Sequence, residues 1–410
     1  MYKNLGLFLL FFLIILACKK SVETHPVEQP QASFEVTSVQ KGQVTFKNLS
    51  LYATAYRWNF GDGTSSTEQH PQHQYKINGT YLVSLTVTGN GLSNSNSQSI
   101  VIEDLPMDKW TAGTDFPGGI RYMALSFFAA NHWYAGFGYR ANNEMLKDLW
   151  MYDQESNSWI QKNDAPTSFA GGISFVLDNK VYIGLGENGS GQSPFYEYTP
   201  ETDSWKRLEN FPGNNGLANV AATTFALKGK GYVVGGANSF SNKQCWMYSP
   251  QSDEWTRLSD FPGTDRHSAA GFVINNKAYV GTGVTKTGAG NQVVLSDFWE
   301  FDGDSGQWSK KADFPGKGRY GAAGFVIHGK GYIGLGWKDI RNASLEREIE
   351  YYTDLWQYSA EDNIWTKKSS LPQPAKTWPF LLTFQDRVWM GTGIGLDIKA
   401  TKDIWEYSVQ

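Results

Sequence analysis

The sequence predicts an all-β chain in which a six-bladed β-propeller, residues 105–410, follows a small β-sandwich, residues 32–103. Three observations carry that expectation. A tryptophan returns six times in nearly the same phrase: Trp110 (KWTAGTDFP), Trp159 (SWIQKNDAP), Trp205 (SWKRLENFP), Trp255 (EWTRLSDFP), Trp308 (QWSKKADFP) and Trp365 (IWTKKSSLP). These lie 46 to 57 residues apart, the period of propeller blades. Aromatic residues make up 15% of the 410, glycines number 43 and charged residues only 19%, which favours strands and tight turns over helical bundles. Residues 32–103 alternate apolar and polar side chains in segments such as SFEVTSV, QVTFKNLS and TYLVSLTV.

The first element is a targeting segment, MYKNLGLFLLFFLIILAC, residues 1–18. Lys3 precedes an apolar run from Leu5 to Leu16, shorter than the about 20 residues a membrane span requires. Ile15-Leu16-Ala17-Cys18 resembles a bacterial lipobox. The resemblance implies cleavage before Cys18 and lipidation of that residue; the alternative is an ordinary signal peptide in which Cys18 is incidental. Several acyl chains would hold the protein to a membrane far more firmly than one. Lys19 and Lys20 follow Cys18 where an aspartate would mark inner-membrane retention, so the expected destination is the outer membrane. Residues 19–31 (KKSVETHPVEQPQ) are polar and proline-bearing, and read as a flexible tether.

Within the sandwich, Gly61-Asp62-Gly63 is a tight turn between strands, with Asp62 as its capping carboxylate in preference to a metal ligand. Trp58 and Phe60, two apart, are expected to face one core. The phrase Trp58-Asn59-Phe60-Gly61-Asp62-Gly63, followed by Tyr75, Gly79 and Tyr81, resembles the PKD domain, an immunoglobulin-like sandwich. That resemblance implies a spacer or adhesion module.

The propeller units each carry four strands. Unit five shows them in order: 319–327, 331–336, 354–358 and 364–368. The units resemble kelch repeats, with second strands ending in Gly136-Phe137-Gly138, Gly184-Leu185-Gly186, Gly235-Gly236, Gly281-Thr282-Gly283, Gly334-Leu335-Gly336 and Gly391-Thr392-Gly393. Unit six stops after its third strand, whereas Trp110 opens a fourth strand before any first strand exists. The N-terminal strand is therefore expected to complete the C-terminal blade and hide both edges.

Strand direction puts the two-to-three and four-to-one connections on one face, here called the top. The two-to-three loops are long, and residues 337–353 form the longest, with room for a short helical turn. At the top of strand one stand Arg121, Tyr122, Phe169, Asn219, Arg266, His267, Arg319, Tyr320, Thr377 and Trp378. Guanidinium forks pair with carboxylates and aromatic faces stack on sugars or peptides. Arg121, Tyr122, Phe169, Arg266, His267, Arg319, Tyr320 and Trp378 are therefore the candidate ligand-binding set. The competing reading has the arginines bonded to blade carbonyls.

Two enzymes share the architecture this resemblance implies: galactose oxidase and the six-bladed sialic-acid mutarotase. A copper site is excluded because His132 and His328 fall in bottom turns and Cys245 takes an apolar strand-three position. Asp148, Asp297, Asp354 and Asp403 recur before strand three, which marks a structural device rather than a catalytic pair. No cofactor or metal is expected, and with a net charge of −4 and no basic block beyond the signal region, no nucleic acid. The expected protein is a monomeric, lipid-anchored surface binder of a glycan or protein ligand; a sugar mutarotase and a purely structural adhesion module are the alternatives.

Overall fold

Period-2 burial organises both parts of the chain. The structure, a computed structural model, describes residues 28–75, 78–103, 108–286, 292–341, 347–372, 376–395 and 399–409. Cys18, the targeting segment and most of the tether lie outside the described residues. The chain divides into two compact units, 1–106 and 107–410. Among the described residues there is no α-helix, only a 3-10 turn at Gly213–Gly216.

In the first unit, Phe34–Gln40, Gln43–Asn48 and Gln72–Gln74 form one antiparallel sheet. Ser65–Ser66, Ala55–Asn59, Gly79–Gly89 and Leu92–Ile102 form the other. Trp58 and Phe60 share the core with Val44, Phe46, Val83 and Leu85. Asp62 closes its turn by accepting from the Thr64 amide (3.0 Å) and pairing with His73 (2.7 Å). These contacts hold its carboxyl below the usual range despite partial desolvation.

The second unit contains six four-stranded antiparallel sheets. Blade 5 is Ala323–Ile327, Lys330–Gly334, Leu355–Ser359 and Ile364–Lys368. The first strands contact one another in sequence around the axis, and that of blade 6 (Phe380–Thr383) meets that of blade 1 (Leu125–Ala129), so the ring is closed. Blade 6 takes its fourth strand from the N-terminal side: Lys109–Ala112 pairs with Ile404–Ser408, Trp110 lying opposite Tyr407. Asp108, which forms an ion pair with Lys368 at 3.0 Å, stands one residue before this strand. Asn157, Asp203, Asp253 and Asn363 hold that place in other blades.

The six repeated tryptophans are half-buried. Each packs on an aromatic ring of strand three at 4.7 to 5.3 Å, Tyr198–Trp205 and Tyr152–Trp159 being the extremes. Trp205 and Trp365 donate their indole N–H to carbonyls of the preceding blade, Asn163 and Ala312. They are inter-blade mortar.

The glycines ending strand two have a steric cause. Gly336 sits at φ +80°, and a Cβ there would lie 2.7 Å from the Tyr320 carbonyl oxygen. Its N–H donates to the Lys376 carbonyl of blade 6 at 2.8 Å. Gly138, Gly236, Gly283 and Gly393 make the same inter-blade bond, Gly393 reaching Arg121 across the closure.

One expectation is corrected. Among the described residues of 337–353, Trp337–Arg341 pairs with Arg347–Tyr351 as a β-hairpin in place of the expected helical turn. Its charges pair across the strands, Arg347 with Asp339 (2.7 Å) and Lys338 with Glu348. A second hairpin, Val284–Lys286 with Gln292–Val294, rises beside it from blade 4.

Candidate functional site

Superposing the six repeats in sequence separates a structural position from a solvent-facing one two residues later. The structural position holds Arg121, Phe169, Asn219, Arg266, Arg319 and Lys376 in blades 1 to 6. Arg121, Arg266 and Arg319 are fully buried. Each donates to the carbonyl sixteen residues on, of Phe137 (3.1 Å), Thr282 (3.0 Å) and Leu335 (3.1 Å). Those carbonyl residues are left-handed, at φ 63°, 61° and 60°, between strand two and the loop. A buried carbonyl turned out of the ladder needs a donor, and the arginine supplies it.

The other half of each guanidinium meets the aspartate before strand three: Asp148 (2.7 Å), Asp297 (2.6 Å) and Asp354 (2.6 Å). That aspartate also accepts the indole N–H of Trp150, Trp299 or Trp356, two residues on. Arg319 holds Asp354 below the usual carboxylate range against the opposing pull of burial, as Arg266 does Asp297. The replacements are concerted. Blade 6 keeps a charged pair, Lys376 with Asp403 at 2.7 Å. Blade 3 has Asn219, which donates to the Gly235 carbonyl, and Gln244, which accepts from Trp246. Blade 2 has Phe169 and Pro194. Charge meets charge and neutral meets neutral, which is the behaviour of an internal clamp.

The arginine part of the candidate set is therefore corrected. A guanidinium with almost no exposed surface, its terminal nitrogens already bonded to a carbonyl and an aspartate, cannot fork onto a ligand at the mouth. Phe169 is likewise buried, packed on Phe137 and Tyr196 at 6.0 Å.

The mouth is built two residues further on, by Met123, Gly171, Ala221, Ser268, Gly321 and Trp378. All six have positive φ, between 51° and 62°. Their backbones bond from blade to blade: Gly171 N to Met123 O (3.2 Å), Ala221 N to Gly171 O (2.6 Å), Ser268 N to Ala221 O (2.7 Å), Gly321 N to Ser268 O (3.0 Å) and Trp378 N to Gly321 O (2.8 Å). This girdle fixes the left-handed turn whatever the side chain. A bulky residue there carries strain, and only blade 6 accepts an indole. Trp378 lies across blade 5, its Nε1 3.4 Å from Ser268 Oγ of blade 4. Gly321 is what leaves room: a Cβ on it would meet Thr377 Oγ1 at 2.2 Å and Trp378 Nε1 at 3.0 Å.

Above the girdle is a pocket of about 570 Å³ to which all six blades contribute. Its aromatic wall is Trp378 and Tyr320, ring centroids 5.6 Å apart, backed by Trp337 at 5.6 Å from Trp378. The blade 5 hairpin supplies Trp337, and Asp339 of that hairpin accepts the Tyr320 hydroxyl on its backbone carbonyl at 3.0 Å. The polar groups are Glu187, Asn188, Asn238, His267 and Ser268; no lysine or arginine is among the described lining residues. His267 is held by Ser241 Oγ at 2.9 Å from Nδ1, and burial, reinforced by the Lys286 charge, pushes its pKa down to about 4. It is a neutral imidazole at physiological pH, able to donate and accept. Glu187 accepts the Tyr139 hydroxyl, and Tyr139 stacks on Tyr122 at 5.2 Å.

Of the eight candidates, His267, Tyr320 and Trp378 line this pocket. Tyr122 lines a neighbouring depression of about 410 Å³ with Ile120, Asn143 and Lys399. Met123, Glu187, Asn188, Asn238 and Ser268 were missed. The repeat register could have found Met123 and Ser268, since both stand two residues after an arginine. Glu187 and Asn238 fall in the long two-to-three loops 187–193 and 237–243, where binding is expected, but no period singles them out within those loops.

Comparison with known proteins places the fold. Residues 25–103 match the PKD domain family. The chain is 35% identical over 94 residues to a protein named N-acetylneuraminate epimerase from Shigella flexneri, and equally to that of Escherichia coli K12. It is 33% identical over 113 residues to that of Escherichia coli O157:H7. These matches cover 22% and 26% of this chain and 26% and 31% of the relatives, so the chain spans roughly a quarter to a third of their length. The solved structure of YjhT superposes with a TM-score of 0.60 over 71% of this chain and 95% of that one, at 18% identity. The likeness is one of fold.

Proposed function

We propose that the axial pocket is a carbohydrate-binding site, presented from the cell surface by a PKD spacer and a lipid anchor at Cys18. One observation carries the reading: the position that other blades fill with Gly, Ala, Ser or Met is Trp378 in blade 6, laid over the pocket floor against Tyr320 and Trp337. An aromatic wall packs on the C–H face of a sugar ring, while amide, hydroxyl and imidazole groups hydrogen-bond its hydroxyls. Asn188, Asn238, Ser268 and His267 are such groups. Because Glu187 is the charged side chain in the lining, the pocket favours a neutral or N-acetylated sugar over one that brings its own carboxylate.

The second reading is a sugar epimerase or mutarotase, favoured by the similarity to proteins named N-acetylneuraminate epimerase. In that case Glu187 and the neutral His267 are the groups in the pocket able to move a proton between ring oxygen and anomeric hydroxyl. Saturation-transfer NMR with a monosaccharide panel, on wild type and Trp378→Ala, tests the first reading. Contacts that vanish in the variant support it; undiminished contacts refute it. Proton NMR of N-acetylneuraminate anomers, equilibrating no faster with protein than without, removes the second.

A further inference from the structure

We propose that the propeller carries a second carbohydrate subsite on its opposite face, in the seam between blades 6 and 1. The seam holds an open depression of about 580 Å³ bounded by the turn after strand one of blade 6, by strand one of blade 1 and by the turn at Gln154. It is independent of the axial pocket, from which it differs in face and in every lining residue.

The repeat itself makes the argument. At the fourth residue of strand one the other blades carry Val176, Ala226, Val273, Val326 and Thr383, all partly covered. Blade 1 carries Phe128, 44% exposed. At the second residue of strand two the others have Val181, Gly231, Ala278, Gly331 and Val388, whereas blade 1 has Trp133. Phe128 and Trp133 are cross-strand partners with centroids 5.0 Å apart, and Phe384 of blade 6 closes the row at 5.9 Å from Trp133. Trp133 is buried in the core beneath the seam, but five blades manage the Phe128 position without a large ring, so packing does not require an exposed one there. A large exposed aromatic costs solvation and offers a face.

The rim supplies hydrogen bonds of the right kind. Gln154 and Gln385 bring amides, and Asp386 a carboxylate. Arg387 stands where blades 2 and 4 place lysines closed onto glutamates, Lys180 on Glu197 (2.7 Å) and Lys277 on Glu300 (2.9 Å). Arg387 is not closed in this way. It lies 3.7 Å from Glu406 and 4.0 Å from Asp386, its guanidinium is over the Phe384 ring at 4.9 Å, and its Nε makes no hydrogen bond. An exposed ring flanked by planar amides, a carboxylate and an underused guanidinium matches a pyranose: apolar C–H face on the ring, hydroxyl edge on the rim. The ligand class is a neutral oligosaccharide long enough to reach from Phe128 to Phe384, the accessible rings of the row, over the buried Trp133.

Phe128→Val tests this without threatening the fold, because Val176, Val273 and Val326 occupy the same place in sound blades. The full chain is titrated with cellohexaose, mannohexaose and chitohexaose, for wild type, Phe128→Val, Gln154→Ala and the top-face variant Trp378→Ala. The expected result is that at least one oligosaccharide binds with an affinity that falls roughly tenfold in Phe128→Val and measurably in Gln154→Ala, yet is retained in Trp378→Ala. The proposal is overturned if no oligosaccharide loses affinity on Phe128→Val, whether because none binds or because all binding follows Trp378. Failure of the axial site alone appears as a normal Trp378→Ala titration with the seam effect intact.

Discussion

Replacing Arg319 by alanine separates an internal clamp from a ligand contact. Arg319 is fully buried; it donates to the Leu335 carbonyl at 3.1 Å and the Lys317 carbonyl at 3.0 Å, and forks onto Asp354 at 2.6 and 3.0 Å. Alanine leaves the Asp354 carboxylate, whose side chain is 21% exposed, without its cation, and leaves a buried carbonyl without its donor. Breaking one side of a buried pair costs about 3–5 kcal/mol; the partial exposure of Asp354 places this case near ~3 kcal/mol. For a unit of this size that is a fall of about 6 °C in melting temperature. The neutral pair of blade 3 offers a rescue: Arg319→Asn with Asp354→Gln reproduces Asn219 with Gln244, and the double variant recovers about half the loss, because no charge is left stranded. The pH dependence has a definite sign. Asp354 titrates below its ordinary value of 3.8, so its contribution is present above that value and is lost as pH falls through the lower, folded one. The gap in melting temperature between wild type and Arg319→Ala therefore narrows below about pH 4. Circular dichroism melts from pH 7 to 3 measure all of this. A variant that melts within about 1 °C of wild type while losing sugar binding would refute the clamp and return Arg319 to the mouth.

Two further outcomes follow from the ring and its packing. Deleting Lys109 to Phe116 strips the fourth strand from blade 6 and removes Phe116, which packs edge-on against Trp159 (4.9 Å) and Phe380 (5.1 Å). Calorimetry is expected to show a melting temperature lowered by more than ~10 °C or no cooperative transition, since one core aromatic alone is worth about 3–5 kcal/mol; an unchanged transition would contradict the closure. Cys245 opens strand three of blade 3 and is buried there, its thiol pushed up to about 12 by desolvation, so Ellman's reagent leaves it untouched in the native protein and titrates it only in guanidinium.

How much of this was legible in one sequence depends on whether a feature repeats. The six tryptophans together announced the blade count and Trp110 the closure, because a strand-four phrase ahead of any strand one has only one place to go. The aspartate series was readable as structural from its recurrence alone. The arginines recur too, and the competing reading that bonds them to blade carbonyls is the one their hydrogen bonds match; both readings stood because a guanidinium suits a buried carbonyl and an acidic ligand alike, and alternation along a strand does not reveal which way a residue just before it turns. The hairpin at 337–351 was obscured by a charge pattern, Glu346-Arg347-Glu348, compatible with either a helical turn or a cross-strand ladder. Glu187 and Asn238 reach the pocket through left-handed turns and loop paths that no period encodes. The axial site is thus made of exceptions to the repeat, and Trp378 is the exception that a register-aware reading could have singled out.

The closure has a mechanical meaning. Trp110 and Tyr407 touch, although 297 positions separate 407 from 110 in the chain. Drawing those ends together costs about 5 kcal/mol of loop entropy, which the strand pairing and ring packing of blade 6 offset. Once the propeller is shut, Lys109–Ala112 is held to Ile404–Ser408 by a short ladder whose first pair, Lys109 with Ser408, is the one next to residue 108. The Asp108–Lys368 ion pair and the Trp110 indole, bonded to the Ser369 carbonyl at 2.8 Å, stand at that end. They act as a rivet at the start of the seam, where peeling would begin.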